Sequence, residues 1–190
     1  MSDVLNLLID RIGTPIGELL LVADHDGNVR AIDWTDHEGR MLRLLRLHYG
    51  KDGYRLEPAS NPSGLGDVIR RYFAGELAAI DSLPVKTAGT AFQREVWRGL
   101  REIDCGTTIS YATLAERIGR PAAVRAVGLA NGANPVGIIV PCHRVIGANG
   151  SLTGYGGGIE RKRWLLEHEA NDSTNGRDLQ PQLSFSSSLR

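Results

Sequence analysis

The sequence predicts an α/β N-terminal domain, a small antiparallel sheet with helices, over residues 1–87. A mostly α C-terminal domain containing a helix-turn-helix follows over residues 88–170. Three observations carry this reading. Before residue 35, short apolar blocks alternate with turn residues, as in strands joined by hairpins. From residue 91 the apolar spacing is helical. Within that second half, two helical stretches are separated by the breaker Gly119-Arg120-Pro121.

Residues 5–12, 17–23 and 29–34 read as strands. Thr14-Pro15 and Asp24-His25-Asp26-Gly27-Asn28 separate them, and Asp26-Gly27 is a hairpin signal. Met41, Leu44 and Leu45, with Leu42 and Tyr49, then recur at helical spacing over 36–49. A loop rich in Pro, Gly, Ser and Asn spans 57–66, and a short helix over 67–74 carries Val68, Ile69, Tyr72 and Phe73. Residues 83–90 read as a linker and hold the domain boundary. Phe92, Val96, Trp97, Leu100 and Ile103 fall on one face of a helix that starts after Thr90. Ser110 is the expected N-cap of a helix over 111–118. A third helix covers 122–131, with Pro121 at its first position. Gly132-Ala133-Asn134-Pro135 ends it, and Ile138-Ile139-Val140 reads as a short buried strand or extended run. A Gly-rich loop over 147–158 leads to an amphipathic helix over 160–168 with Trp164, Leu165 and Leu166. The tail over 171–190 reads as disordered.

With 42% hydrophobic and 23% charged residues in 190, neither a wholly disordered chain nor a coiled coil fits. No apolar run approaches the ~20 residues of a membrane span. The start lacks the basic and apolar regions of a signal peptide, so a cytoplasmic protein is expected. Cys105 and Cys142 are too few for a disulfide framework or a four-ligand cysteine site, and no metal is expected. Net charge is zero, which argues against nonspecific nucleic-acid binding. The charge is unevenly placed. Residues 1–87 carry 10 Lys and Arg against 13 Asp and Glu, whereas residues 88–170 carry 10 against 7.

Two features bear on chemistry. The second helix of the helix-turn-helix is slim, built on Ala122, Ala123, Ala126, Gly128 and Ala130, with Arg125 as its one charged side chain. Major-groove readers display several polar side chains. This helix suits close approach to a narrow groove, or burial against another helix. In the run Val140-Pro141-Cys142-His143-Arg144-Val145-Ile146, a cysteine stands beside a histidine. An imidazole can draw the proton from a thiol and leave the nucleophilic thiolate. Orienting the histidine takes a third group, and Glu169 and Glu167 are the nearest carboxylates left unassigned. A bare Cys-His pair is also compatible with an inert buried cysteine.

That run, preceded by Ile138-Ile139, resembles the acceptor-site motif of the O6-alkylguanine-DNA alkyltransferases, the methylated-DNA–protein-cysteine methyltransferases. Other segments resemble the family in the same order. They are Thr90-Ala91-Phe92-Gln93-Arg94-Glu95-Val96-Trp97, Ser110-Tyr111 with Leu114-Ala115, Ala123-Val124-Arg125-Ala126-Val127-Gly128, Asn131-Gly132-Ala133-Asn134-Pro135, Thr153-Gly154-Tyr155, and Arg161-Lys162 with Trp164-Leu165-Leu166-Glu167-His168-Glu169. The resemblance is dense over 90–169 and points to the stand-alone bacterial type.

It implies that Cys142 takes an alkyl group from O6 of guanine, and also from O4 of thymine, in duplex DNA, irreversibly and without a cofactor. His143, through a water and oriented by Glu169, would help form the thiolate. Asn134 would brace the acceptor turn, and Tyr111 would donate a hydrogen bond or proton to the leaving base. Arg125 would fill the gap left by a flipped nucleotide. The slim helix would lie in the minor groove, with Ser110, Tyr111, Ala123, Ala126, Asn131 and Gly132 bordering the DNA. Val145, Tyr155, Gly156 and Gly157 would line the base pocket. Gly156 stands where many relatives carry a side chain, which implies a wider pocket. The family's N-terminal zinc ligands have no counterpart here. The expected partner is double-stranded DNA carrying O6-alkylguanine, met by a monomer, with clustering on DNA left open and no membrane involved. Two rivals remain at this point: a sensor that binds the lesion without accepting the group, and a cysteine hydrolase.

Overall fold

The structure is a computed structural model that describes residues 4–175. Strands β1 (Leu5–Thr14) and β2 (Gly17–Asp24) form an antiparallel hairpin, and β3 (Val29–Trp34) continues the meander. The Asp-Gly signal marks a real turn. The Asp24 carboxylate accepts from the backbone amides of Asp26 (3.1 Å) and Asn28 (2.8 Å), and Gly27 takes a left-handed conformation at φ +81°. Helix α1 (Glu38–Tyr49) follows through a 3-10 turn over Thr35–His37.

The chain then forms β4 (Tyr54–Pro58), which pairs parallel to β1. The sheet order is β3-β2-β1-β4, so the sheet is mixed and not purely antiparallel as expected. The reason is the crossover: α1 returns the chain to the far edge in the direction of β1. The signal was present as the alternation Tyr54-Arg55-Leu56-Glu57.

The sheet is covered on both faces. Leu7, Leu20, Val22 and Ala31 pack on Met41 and Leu45 of α1. Ile12, Leu19, Leu21, Ile32 and Trp34 face the opposite way, into a core shared with the C-terminal half. Burial on both faces explains why β2 and β3 read as continuous apolar runs. Helix α2 (Leu65–Phe73) contributes Ile69 and Tyr72 to the same core. The expected linker is partly built into the sheet edge: the Val29 amide donates to Pro84 O, and Lys86 N donates to Val29 O.

Helix α3 (Ala91–Arg101) opens with a capping box. Thr90 Oγ1 accepts from Gln93 N, and Gln93 Oε1 accepts from Thr90 N. Strand β5 (Ile109–Ser110) pairs parallel with β6 (Val145–Ile146), which ties the segment after Cys142 to the helix-turn-helix. Helix α4 (Tyr111–Arg117) is capped by Ser110, whose Oγ accepts from Thr113 N at 3.0 Å. Residues Pro121–Ala123 form a 3-10 turn, and the second helix proper, α5, is Val124–Gly132.

Residues 138–140 form no strand; they lie in tight turns, and Ile138 sits at φ +71°. Helix α6 is Ile159–Asn175, so it continues past the expected end at 168 and takes in the first five residues of the tail read as disordered. The rest of that expectation lies outside the described residues. At the start of α6, Arg161 sits 4.3 Å above the Trp34 ring and pairs with Asp36, joining the two halves. Among the described residues, no helix is long and apolar enough to cross a membrane.

Candidate active site

Cys142 opens a 3-10 turn over Cys142–Arg144 and is 6% exposed. The chain reaches it through a braced turn. Asn134 Oδ1 accepts from Val136 N at 3.0 Å, while its Nδ2 donates to Val140 O at 2.7 Å. One side chain therefore holds both ends of the 134–140 segment. That hold maintains a β-branched residue, Ile138, in the left-handed region, a conformation that costs about 1–3 kcal/mol. The lead-in is also docked on the sheet, since Ile32 N donates to Pro135 O at 2.8 Å.

His143 points away from solvent and is fully buried, with Nε2 2.9 Å from Glu169 Oε1. Glu169, on α6, is the hub of a buried network. It accepts from Arg144 Nε (2.8 Å) and Nη2 (2.9 Å) and from the Tyr72 hydroxyl (2.8 Å). Burial alone would raise its carboxyl pKa, but the hydrogen bonds from His143 and Arg144 and the charge of Arg144 outweigh it and hold the carboxyl well below the usual range. Glu169 is thus an anion. Burial pushes the His143 pKa down, so the ring is neutral. A neutral ring beside an anion carries its hydrogen on Nε2, which leaves the lone pair on Nδ1. Nδ1 has no partner among the described residues.

Burial pushes the Cys142 thiol up, while the Asn134 amide and the charges of Arg40 and Lys162 pull it down. Lys162 is fully buried, and its Nζ donates to Val145 O (2.7 Å) and Thr153 O (2.9 Å). It fastens the acceptor segment to the Gly-rich loop. Sequence reading assigned no role to Arg144, Tyr72, Lys162 or Arg40. Arg144 and Lys162 stood inside quoted segments; Tyr72 was read only as an apolar position of the helix over 67–74, and Arg40 gave no local signal.

A small cavity beside Cys142 is lined in part by Tyr155, Gly156 and Gly157, three of the residues read as pocket residues. Val145 does not line it. Its side chain is buried, it pairs with Ile109, and its carbonyl is taken by Lys162. The wider pocket expected at Gly156 is also absent. The guanidinium of Arg40 fills that space, and a Cβ on Gly156 would lie 2.6 Å from Arg40 Cζ. Gly157 admits no side chain either, because a Cβ there would meet Trp34 Nε1 at 2.3 Å.

Helix α5 exposes Arg125, Ala126, Leu129 and Gly132 on one face, with Ala123 half-buried at its start. Leu129 is 78% exposed and went unremarked in the sequence. Asn131, expected at the DNA border, is buried on the other face. The Ser110 hydroxyl is engaged in capping α4. Tyr111 is half-buried, and its hydroxyl accepts from Thr153 Oγ1 at 3.1 Å.

Comparison with known proteins agrees with this geometry. Residues 91–171 match the family model for the 6-O-methylguanine DNA methyltransferase, DNA binding domain. The methylated-DNA–protein-cysteine methyltransferase of Shigella flexneri is 55% identical over 166 residues, spanning 87% of this chain and 97% of its own. That of Mycobacterium tuberculosis strain H37Rv is 49% identical over 161 residues, spanning 83% and 89%. The crystal structure of Mycobacterium tuberculosis OGT in complex with DNA superposes with a TM-score of 0.70 at 43% identity, covering 87% of this chain and 93% of that one. The O6-methylguanine-DNA methyltransferase of Pyrococcus kodakaraensis superposes at 0.64 with 30% identity, covering 86% and 98%. With a cysteine seated beside a buried His-Glu pair and relatives of this identity matched over nearly their whole length, the chain belongs to the methylated-DNA–protein-cysteine methyltransferase family.

Proposed function

We propose that this protein repairs duplex DNA by moving the alkyl group of O6-alkylguanine onto its own Cys142. The observation that carries the reading is a buried cysteine next to a neutral His143, which in turn is held by an ionised Glu169. Nδ1 of His143 is the nitrogen left to take the thiol proton, through a water. Cys142 Sγ then attacks the alkyl carbon. A carbon–sulfur bond forms as the carbon–O6 bond breaks, and the electron pair leaves with the base. The Tyr111 hydroxyl supplies a hydrogen bond or proton to that base, so it need not depart as a full anion. O4-alkylthymine presents the same kind of bond and is the second substrate of this reading.

A cysteine only 6% exposed is out of reach of a base stacked in a duplex, so the lesion must be extruded. Helix α5 is suited to the minor groove, where its small exposed residues allow close approach and Arg125 fills the vacated stack. Minor-groove contact discriminates weakly among bases, which suits repair in any sequence. A crystal structure of the Mycobacterium tuberculosis relative contains DNA, in keeping with DNA as the partner. The thioether product has no acyl bond for water to cleave. Each molecule therefore acts once, with no cofactor.

Intact mass tests the reading. The protein is mixed with an equimolar duplex bearing one O6-methylguanine, alongside Cys142→Ala. The expected result is a gain of one methyl by the parent only, mapped to the Cys142 peptide, with guanine restored in the DNA. Binding without mass gain would instead make the protein a sensor. Steady release of product from an activated ester would make it a hydrolase.

A further inference from the structure

The cavity beside Cys142 measures about 10 Å³, room for a single water molecule. A guanine bearing an O6 substituent needs many times that space, so part of the wall must withdraw when a base enters. Asp33 and Trp34 belong to buried β3, and the acceptor turn is cross-braced by Asn134. Arg40 is held differently. It reaches in from α1 on a long side chain, 17% of which stays exposed. Its hydrogen bonds are an ion pair with Asp33 (2.7 Å) and donations to Gly132 O (2.9 Å) and Asn134 O (3.0 Å). If the guanidinium swings outward, water entering behind it can take up the two carbonyls, whereas Asp33, 4% exposed, loses its counter-ion, so the swing has a cost that the entering base must offset.

The same group sits where a side chain at residue 156 would be. A Cβ on Gly156 would lie 2.6–2.8 Å from Arg40 Cζ, Nε and Nη2. The missing side chain and the intruding guanidinium are two halves of one fit.

We infer that Arg40 is the movable wall of the alkyl pocket, and that Arg40 with Gly156 sets the size of O6 substituent the pocket accepts. The inference rests on the reading of Cys142 as the alkyl acceptor. It assigns the N-terminal half a part in substrate choice. Because Gly132 closes α5, the guanidinium also links the pocket wall to the helix that meets DNA.

The test measures transfer rates from O6-methylguanine and O6-benzylguanine in one duplex sequence. The variants are Arg40→Ala, Arg40→Gln, Gly156→Ser and the Arg40→Ala/Gly156→Ser double. Arg40→Ala should raise the benzyl-to-methyl rate ratio by about tenfold, the scale on which a pocket discriminates by size. Arg40→Gln keeps the chain length and should raise it less. Gly156→Ser should slow both substrates while Arg40 is present and do little once it is removed, so the two effects should not multiply. A ratio that stays constant across the Arg40 variants would mean a purely structural strap and would overturn the inference. So would independent, multiplicative effects of the two sites. If the parent took neither group, the reading of Cys142 would fall and this inference with it.

Discussion

Glu169 is fully buried and is shared by His143, Arg144 and Tyr72. Its removal should therefore be felt twice. Glu169→Gln takes away the anion that fixes the His143 tautomer, so alkyl transfer should slow. It also leaves Arg144 as a buried cation without its counter-ion, at a cost of about 3–5 kcal/mol in urea-unfolding stability. DNA affinity of the folded variant should be nearly unchanged, because Glu169 lies off the exposed face of α5. Glu167→Gln, at an exposed neighbour, should alter none of these. Equal loss of DNA affinity and transfer would reduce Glu169 to a scaffold role. The pH dependence has a definite sign. The Glu169 pKa is depressed in the fold, so its stabilisation is present above the ordinary value of 4.5 and is lost as the pH falls below it. His143, with its pKa lowered by burial, works in the same direction below 6.5. Unfolding free energy should fall from pH 7 towards pH 4, and Glu169→Gln should flatten the part below 4.5. In the sequence, Cys142, His143 and Glu169 were legible as types that do nucleophilic chemistry. Arg144 and Tyr72 were not, because nothing local marks a residue whose role is to neutralise or hydrogen-bond a distant carboxylate.

Helix α5 divides cleanly into two faces. Val127, Ala130 and Asn131 are buried, while Arg125, Ala126, Leu129 and Gly132 are exposed. Arg125→Ala should weaken repair of a lesion in duplex DNA by roughly 10–100-fold, since a flipped base costs a few kcal/mol of lost stacking. Reaction with the free O6-alkylguanine base should be almost unaffected. Equal effects on both substrates would remove the flipping role. Leu129→Ala should fall between parent and Arg125→Ala on the duplex, because an exposed leucine on this face can only gain contact from the groove. Most elements were legible because their signals are short-range: the helical spacing that begins after Thr90, capping at Ser110, the Asp-Gly hairpin, the breaker Gly119-Arg120-Pro121. The misread ones were decided by remote partners. β4 exists because β1 offers an edge for it. Residues 138–140 are turns because Asn134 closes them, although three consecutive branched apolar residues favour a strand.

One apolar core crosses the boundary expected near residues 83–90. Trp34, Ile69 and Tyr72 from one half pack in the same cluster as Val96, Trp97, Leu100 and Leu165 from the other. Arg40, Arg161 and the Tyr72–Glu169 hydrogen bond add polar ties between the halves. Urea unfolding should therefore be a single transition, coincident by tryptophan fluorescence and far-UV circular dichroism. Two separated transitions would mean that the halves fold independently.

The sequence by itself determined the family, the order of most elements and the slim second helix of the helix-turn-helix, and it offered Cys142 with His143 as the candidate nucleophile and its base. Each of these is written in adjacent residues or in a short period, so local physics suffices to read it. Only the tertiary structure decided how large the pocket is, which side chain closes it and what holds Glu169 charged. Those depend on Arg40, Trp34 and Tyr72, which come from a half of the chain more than 60 residues away from Cys142. A distance of that kind leaves no mark on sequence spacing; it becomes a contact only when burial of the shared core brings the two halves together.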